Sequence, residues 1–271
     1  MIKIGFADLY LGEWHADNYP GWIEKAAAEL GIDAKLCYAW AKTSPSPVTG
    51  ESTEEWCKKT GAVPLASLEE LCEKSDAVVV LAPSNPEVHP ELAGTVLPFG
   101  KPTYIDKTFA EDLAAAQAIT DLAAASGTAF FSTSALRYAP ELKAHASAPG
   151  DITLTGGGSN LGEYIVHLAE MVICLGRGDF SSVEVKRNGG DRDILIRHPN
   201  GTCTRLLYSP KLGYGISSCL GEAQITSDFF GGLIREMLVF FSTGRVPFAV
   251  SETLAVMTLR DAILSADKNA D

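Results

Sequence analysis

The chain has 271 residues, of which 46% are hydrophobic and 21% charged, a composition typical of a globular protein. Its formal net charge of -12 argues against nucleic acid as a partner, because phosphate binding needs lysines and arginines concentrated on one face. No apolar run approaches the roughly 18 residues of a membrane span, and we expect no signal peptide or membrane contact. The six cysteines form no C-x-x-C pair and have no histidine partners at zinc spacing. We therefore expect a reduced, cytoplasmic protein without a metal site.

Strands and helices alternate over the first half of the chain. Apolar runs that predict strands cover residues 1–7, 34–40, 76–83, 102–107 and 128–134. Continuous apolar strands separated by helices are typical of a parallel sheet covered on both faces. One of these helices is alanine-rich and runs from Phe109 to Ser126, with Thr108 and Glu111 as a capping box at its start and Gly127 as its C-cap.

Strand-like runs follow one another after about residue 149. Tight turns at Asn188–Gly190 and Pro199–Gly201 separate them, which indicates antiparallel hairpins, and helices over 228–243 and 251–268 close the chain. We therefore predict an α/β protein. A Rossmann-like, doubly wound domain spans residues 1–133, and an α+β domain with an open antiparallel sheet spans residues 134–271. The last helix could pack back on the first domain.

Three segments bring chemically active side chains to the predicted ligand crevice at the carboxyl ends of the parallel strands. Asn85 lies in the loop after one strand, and Asp106 and Lys107 end the next. Glu163 and His167 stand four residues apart in a helical run of the second domain, which places them on one face. A carboxylate beside an imidazole is suited to acid/base chemistry, and a lysine can hold a substrate oxygen.

The chain resembles the glucose–fructose oxidoreductase, inositol dehydrogenase and MocA family from about Ser75 to the C-terminus. The segments that resemble the family include "SDAVVVLAPSNPEVH", "GKPTYIDKTFAED", "ALRYAPEL", "GEYIVHLAE" and "CLGEAQI", followed by the two closing helices. This resemblance implies a Rossmann domain joined to an antiparallel-sheet domain. It also implies oxidation or reduction of a sugar, polyol or derivative by hydride transfer, with NAD or NADP as the cofactor.

The resemblance also implies roles for individual residues. The family's E-K-P signature corresponds to Asp106–Thr108, and its D-x-G-x-H signature corresponds to the segment from Glu163 to His167. Carried over, Lys107 would orient the substrate hydroxyl, His167 would take its proton, and Glu163 would hold or tune His167. The simpler alternatives are a solvated surface lysine and a core histidine.

The first turn departs from the family. In "GFADLYLGEWH", Gly12 to His15 matches the family's G-x-x-H, but Asp8 and Tyr10 stand near the positions of its two earlier glycines. Those glycines let the backbone approach a pyrophosphate at the start of a helix. Asp8 would place a like charge beside that anion. No acid ends the second strand to bind a ribose, although Lys42 could meet a 2′-phosphate or remain an exposed loop lysine.

The candidate cofactor-binding residues are therefore Asp8, Tyr10, Gly12, His15, Pro83, Asn85 and Asp106. The neighbouring Asp17, Asn18 and Tyr19 contact a ligand or belong to an ordinary helix start. Two other functions stay open: a cofactor-free relative that binds a ligand as a sensor, and a lyase or isomerase that uses the same acid/base group. We also expect a homo-oligomer, because an open sheet leaves one face for a partner.

Overall fold

The computed structural model describes residues 1–270, which divide into two compact units. The first unit contains Met1–Thr133 and Leu233–Val250, and the second contains Ser134–Gly232 and the segment that begins at Ser251. No helix in the described part of the chain is both long and apolar enough to cross a membrane. All six cysteines are free thiols.

The first unit is built on a sheet of six parallel strands. They are β1 (Ile2–Asp8), β2 (Ala34–Ala41), β3 (Val63–Pro64), β4 (Ala77–Val80), β5 (Thr103–Ile105) and β6 (Phe130–Phe131). The order across the sheet is β3-β2-β1-β4-β5-β6, so the chain starts near the middle and winds outward in both directions. The predicted doubly wound fold is confirmed, and β4 is buried along its whole length, as its apolar run requires.

Five helices alternate with these strands: α1 (Trp14–Leu30), α2 (Thr53–Thr60), α3 (Leu68–Lys74), α4 (His89–Val96) and α5 (Leu113–Ser126). The prediction that α5 starts at Phe109 with a cap at Thr108 is wrong. Asp112 caps it instead, its carboxylate accepting from the Ala115 amide at 2.8 Å, and the segment before it is a buried loop. The predicted end at Gly127 is confirmed, with a left-handed φ of 65°.

The second unit contains a mixed sheet. Its strands are β7 (Ile152–Gly156), β8 (Ser182–Asn188), β9 (Asp191–Arg197), β10 (Cys203–Tyr208), β11 (Gly215–Ser218) and β12 (Gly221–Gln224). The order is β12-β11-β7-β10-β9-β8, and both predicted hairpins are present. The pairs are antiparallel as expected, except that β7 and β10 run parallel. A parallel pair needs a long crossover connection, and a helix and two strands supply it here.

The remaining helices are α6 (Pro140–Lys143), α7 (Leu161–Cys174), α8 (Phe229–Thr243) and α9 (Val250–Lys268). In the second unit α7 and α9 join the inward side chains of the sheet in one apolar core. The outward face of β8 to β10 carries several charged side chains, together with Leu195 and Leu207. Arg197 pairs with Glu184 at 3.0 Å, and Arg205 forms a two-bond pair with Asp193. These pairs give the outer face of the sheet a polar character.

Candidate functional site

The candidate residues of the first unit lie at the carboxyl edge of its sheet. Strands β1, β4 and β5 are parallel neighbours, so the residues that follow them meet at one edge. Asp8 ends β1, the loop that contains Pro83 follows β4, and Asp106 and Lys107 follow β5. The fold of this unit therefore brings these predicted residues together.

Glu13 caps the N-terminus of α1, next to this edge. Its carboxylate accepts hydrogen bonds from the amides of His15 at 2.8 Å and Ala16 at 2.5 Å. These are two of the amides that the first turn of a helix leaves without a partner inside the helix. A negative charge is favourable at this position because of the helix dipole. Burial raises the pKa of Glu13 above its ordinary value, although the charge of His15 and these two amides act against burial.

Asp8 lies beneath this cap with its side chain almost wholly buried. One carboxyl oxygen accepts from the Leu9 amide at 2.7 Å, and the other, Oδ2, has no hydrogen-bond partner in the described structure. Burial, followed by the charge of Glu13, raises the pKa of Asp8 well above its ordinary value. Burial thus favours the protonated form of the Asp8 carboxyl group over the charged form.

A buried imidazole–carboxylate pair joins α1 to the end of β5. The Nδ1 atom of His15 bonds to Oδ2 of Asp106, while Asp106 Oδ1 accepts from the Tyr104 hydroxyl at 3.0 Å and the Lys107 amide at 2.9 Å. Burial alone would raise the pKa of Asp106, but the charge of His15 and the hydrogen bonds outweigh it and hold the pKa below its usual value. The Tyr19 hydroxyl lies 3.2 Å from the same His15 nitrogen.

Lys107 points toward the loop after β4. It is only 8% exposed, and its Nζ atom lies 3.4 Å from the carbonyl oxygen of Pro83. In the same loop Asn85 donates to Glu87 at 2.9 Å, so its amide is held by a local contact. His89 is fully buried between two backbone carbonyl oxygens, which is a structural role. A largely buried ammonium group at a strand end is well suited to hold an oxygen of a ligand.

The rest of the first turn packs against the chain that follows β2. Gly12 has a left-handed φ of 77°, and a Cβ atom there would lie 2.8 Å from Oγ1 of Thr49. Tyr10 is half-buried in the turn. Lys42, the residue considered for a 2′-phosphate, forms an ion pair with Glu91. Glycine is therefore needed at one position of the turn, the one nearest the helix.

The polar residues at the start of α1 have partners within the first unit. Asp17 accepts from Nε1 of Trp56 at 2.8 Å, and the Asn18 amide donates to a backbone carbonyl one turn earlier at 2.7 Å. Tyr19 is fully buried. These contacts are those of an ordinary helix start, with Glu13 as the cap rather than Asp17 or Asn18.

In the second unit, Asn160 caps α7 and binds Glu163. Its Oδ1 atom accepts from the Glu163 amide at 2.8 Å, and its Nδ2 atom donates to the Glu163 carboxylate at 3.1 Å. A carboxylate in the first turn stabilises a helix through its dipole. The predicted placement of Glu163 and His167 on one helix is confirmed, and these bonds tie Glu163 to the helix start.

His167 is half-buried one turn further along α7. Its Nδ1 atom lies 2.7 Å from the hydroxyl oxygen of Ser134, and the rings of Tyr164 and Tyr214 lie 5.9 Å and 5.6 Å away between centroids. The same hydroxyl oxygen accepts from the Leu136 amide. It can also accept from Nδ1–H of His167, which places the acceptor lone pair of the imidazole on Nε2. In that tautomer Nε2 is the nitrogen that can act as a general base.

The glycine run Gly156–Gly158 lies where β7 ends and the loop to α7 begins. A Cβ atom on Gly157 would lie 1.8 Å from the carbonyl oxygen of Ser209. The hydroxyls of Tyr208 and Tyr214 donate to the carbonyls of Gly158 and Gly157 at 2.9 Å and 3.1 Å. Close approach of the Ser209 backbone at Gly157, and of the Tyr214 and Tyr164 rings at Gly156 and Gly158, accounts for these glycines.

With Glu13 bound to the amides of α1, the first turn is closed to the pyrophosphate of a dinucleotide. The amides of His15 and Ala16, which would face that anion, already bind the carboxylate of Glu13. The buried Asp8 carboxyl group lies next to them and would add a like charge on ionisation. No cluster of His, Cys, Asp or Glu suited to a metal ion occurs among residues 1–270.

The sequence patterns did not indicate two residues that form contacts in the candidate sites, Glu13 and Ser134. Glu13 is an unusual N-cap, because short side chains such as Ser, Thr, Asp and Asn are preferred there. Its position directly before a helix start was the available signal. Ser134 lies 33 residues from His167 in sequence. No local pattern connects such a distant pair.

No family model matches the sequence, and no curated protein matches it. Solved structures do match its fold. Myo-inositol dehydrogenase from Lactobacillus casei, solved with NAD(H) and myo-inositol, is 12% identical and has a TM-score of 0.78, with 100% of this chain and 95% of that chain covered. GenD2 from gentamicin A biosynthesis, solved with NAD, is 13% identical with a TM-score of 0.76, covering 99% and 95% of the two chains.

A third similar structure is the UDP-N-acetylglucosamine 3-dehydrogenase GnnA from Acidithiobacillus ferrooxidans. It is 13% identical and has a TM-score of 0.77, with 98% of each chain covered. Likeness at this level of identity concerns the fold, and it extends over both units. The chain therefore has the fold of the glucose–fructose oxidoreductase, inositol dehydrogenase and MocA family, as its sequence resemblance predicts.

Proposed function

We propose that the protein is an oxidoreductase of this type, acting on a sugar, polyol or derivative, with NAD or NADP as its redox partner. The observation that carries the proposal is Lys107, a largely buried lysine at a strand end of a dehydrogenase fold. Neighbours of the same fold solved with NAD, and one solved also with myo-inositol, support it. A fold by itself does not fix an activity, so the site residues must be tested.

In this proposal each chemical role belongs to a named side chain. The Lys107 ammonium group orients a hydroxyl of the substrate, and Nε2 of His167 takes the proton of that hydroxyl. Ser134 holds the His167 ring through Nδ1. Glu163 stabilises the start of α7 through Asn160 and contributes negative charge on the same helix. The proposed cofactor-binding residues are those of the first unit, from Asp8 to Asp106.

A cofactor-free function is the second candidate, and the cap on α1 favours it. Because Glu13 binds the helix amides, the turn is closed to a pyrophosphate as it stands. The chain would then bind a sugar-like ligand without redox chemistry, or act as a lyase or isomerase through the same acid/base residues.

The charged outer face of the second sheet is compatible with the homo-oligomer that we also propose, through polar rather than apolar contacts. A cytoplasmic location is likewise part of the proposal.

The test is a titration of the purified protein with NAD(H) and NADP(H), read by thermal shift and nicotinamide fluorescence. A ligand that binds the native state raises its stability by mass action. Binding followed by turnover in a panel of sugars and polyols is the expected result. No shift with any of the four dinucleotides at millimolar concentration would contradict the oxidoreductase and leave the cofactor-free candidate.

A further inference from the structure

The N-terminus of α1 already holds an anion that the chain itself supplies. The two oxygens of Glu13 bind the adjacent amides of His15 and Ala16, and α1 continues unbroken for 17 residues. In doubly wound domains the pyrophosphate of a dinucleotide takes the amides at this helix start. A carboxylate offers the same two-oxygen geometry and the same sign of charge. It therefore stands in for that phosphate group.

The carboxyl groups near Glu13 also disfavour the binding of a second anion at the start of α1. Oδ2 of Asp8, which is 1% exposed, has no hydrogen-bond partner in the described structure. Asp106 is equally buried and neighbours the same helix start through His15. The carboxyl groups of Asp8, Glu13 and Asp106 thus surround the turn. An incoming pyrophosphate would meet the Glu13 carboxylate, which already occupies the amides of His15 and Ala16.

We propose that Glu13 is an internal competitor for the dinucleotide site, so that the protein binds dinucleotides weakly until this carboxylate leaves the helix amides. This inference rests on the proposed function for the choice of ligand. The competition itself is a property of the turn, and it applies to any pyrophosphate. It makes Glu13 the residue that sets cofactor affinity in this chain.

The experiment compares wild type with Glu13→Gly and Glu13→Gln. The glycine variant exposes both amides, and glycine is tolerated at an N-cap. The glutamine variant removes only the charge. Glu24→Gln, which removes an exposed charge from the same helix, is the matched control. Dissociation constants for inorganic pyrophosphate, NAD and NADP are measured by calorimetry, and circular dichroism checks that each variant is folded.

We expect Glu13→Gly to bind pyrophosphate and NAD or NADP at least about tenfold more tightly than wild type, with Glu13→Gln in between and Glu24→Gln unchanged. A gain for pyrophosphate while no variant binds either dinucleotide supports the competition and removes the cofactor from the proposed function. Dinucleotide binding that is measurable but equal in wild type and Glu13→Gly, with no gain for pyrophosphate, would overturn the inference and leave the oxidoreductase intact. Absence of binding in every folded variant would overturn both.

Discussion

At the scale of single residues, we expect Ser134 to set the tautomer of the His167 imidazole. Its hydroxyl lies 2.7 Å from Nδ1, so we expect it to fix the imidazole with the proton on that nitrogen. Ser134→Ala should lower kcat about tenfold with little change in KM, and should change the tautomer ratio seen in the ¹⁵N spectrum of His167. Loss of its hydrogen bond to Leu136 should also cost about 1 kcal/mol of unfolding free energy.

Ser134→Thr is the control. It keeps the hydroxyl group, so kcat and the tautomer ratio of His167 should both stay at their wild-type values. The stability cost alone cannot move the tautomer ratio. An alanine variant with lower stability but an unchanged spectrum would therefore contradict the positioning role and leave Ser134 as a structural residue.

Asp8 makes the stability of the protein depend on pH. Its pKa is raised well above the ordinary value of 3.8, first by burial and then by the charge of Glu13. Above pH 3.8 the folded state thus holds a proton that the unfolded chain releases, so the free energy of unfolding falls as pH rises toward the raised pKa. We expect Asp8→Asn to be more stable than wild type at pH 7 by about 1–3 kcal/mol.

The measurement is urea unfolding from pH 4 to pH 8, with the exposed Asp33→Asn as the control. The two proteins should approach each other toward the acidic end, where the unfolded chain also begins to hold the Asp8 proton. An Asp8→Asn protein that is less stable than wild type at pH 7 would show that the ionised carboxylate is stabilised in the native turn.

At the scale of elements, the loop between β7 and α7 has no room for a side chain at Gly157. A Cβ atom there would lie 1.8 Å from a backbone carbonyl oxygen just after β10, and backbone in a sheet cannot easily move. We expect Gly157→Ala to lower the unfolding free energy by about 2–4 kcal/mol in urea titrations. A cost under about 0.5 kcal/mol would show that the loop can shift.

Gly162→Ala is the matched control for this element. Gly162 lies in the first turn of α7, and the nearest atom to its Cβ position is 3.6 Å away, an ordinary contact. Alanine there should stabilise the helix by up to about 1 kcal/mol through its higher helix propensity. Both substitutions add the same methyl group. A loss of unfolding free energy for Gly157→Ala and a gain for Gly162→Ala would therefore isolate the effect of the carbonyl oxygen that lies close to Gly157.

At the scale of the whole molecule, each of the two units carries one of the proposed catalytic residues. Lys107 belongs to the first unit and His167 to the second. We expect Lys107→Ala and His167→Ala each to lower kcat/KM by about 100-fold or more, with the native fold retained. Lys25→Ala, at an exposed position of α1, is the control. Full turnover by either folded variant would exclude that residue from the acid/base group.

The sequence by itself determined the architecture. Alternation of apolar runs and helices predicted the parallel sheet, glycine-containing turns predicted the hairpins, and Gly127 predicted the end of α5, because these signals act within a few residues of chain. It also placed Asp8 where a glycine is usual in this fold. Local signals failed at the start of α5, where Asp112 competed with Thr108 as the cap.

The tertiary structure alone decided how the candidate residues are held. The bonds from Asp106 to His15 and from His167 to Ser134 join residues 91 and 33 positions apart. The pairing of β7 with β10 is likewise parallel because of the crossover between them. The role of Glu13 depends on both the sequence and the tertiary structure. The sequence predicts the start of α1 next to Glu13, but only the folded turn shows that the Glu13 carboxylate binds the amides of His15 and Ala16. Hydrophobic periodicity acts over one element, whereas side-chain hydrogen bonds depend on where separate elements meet.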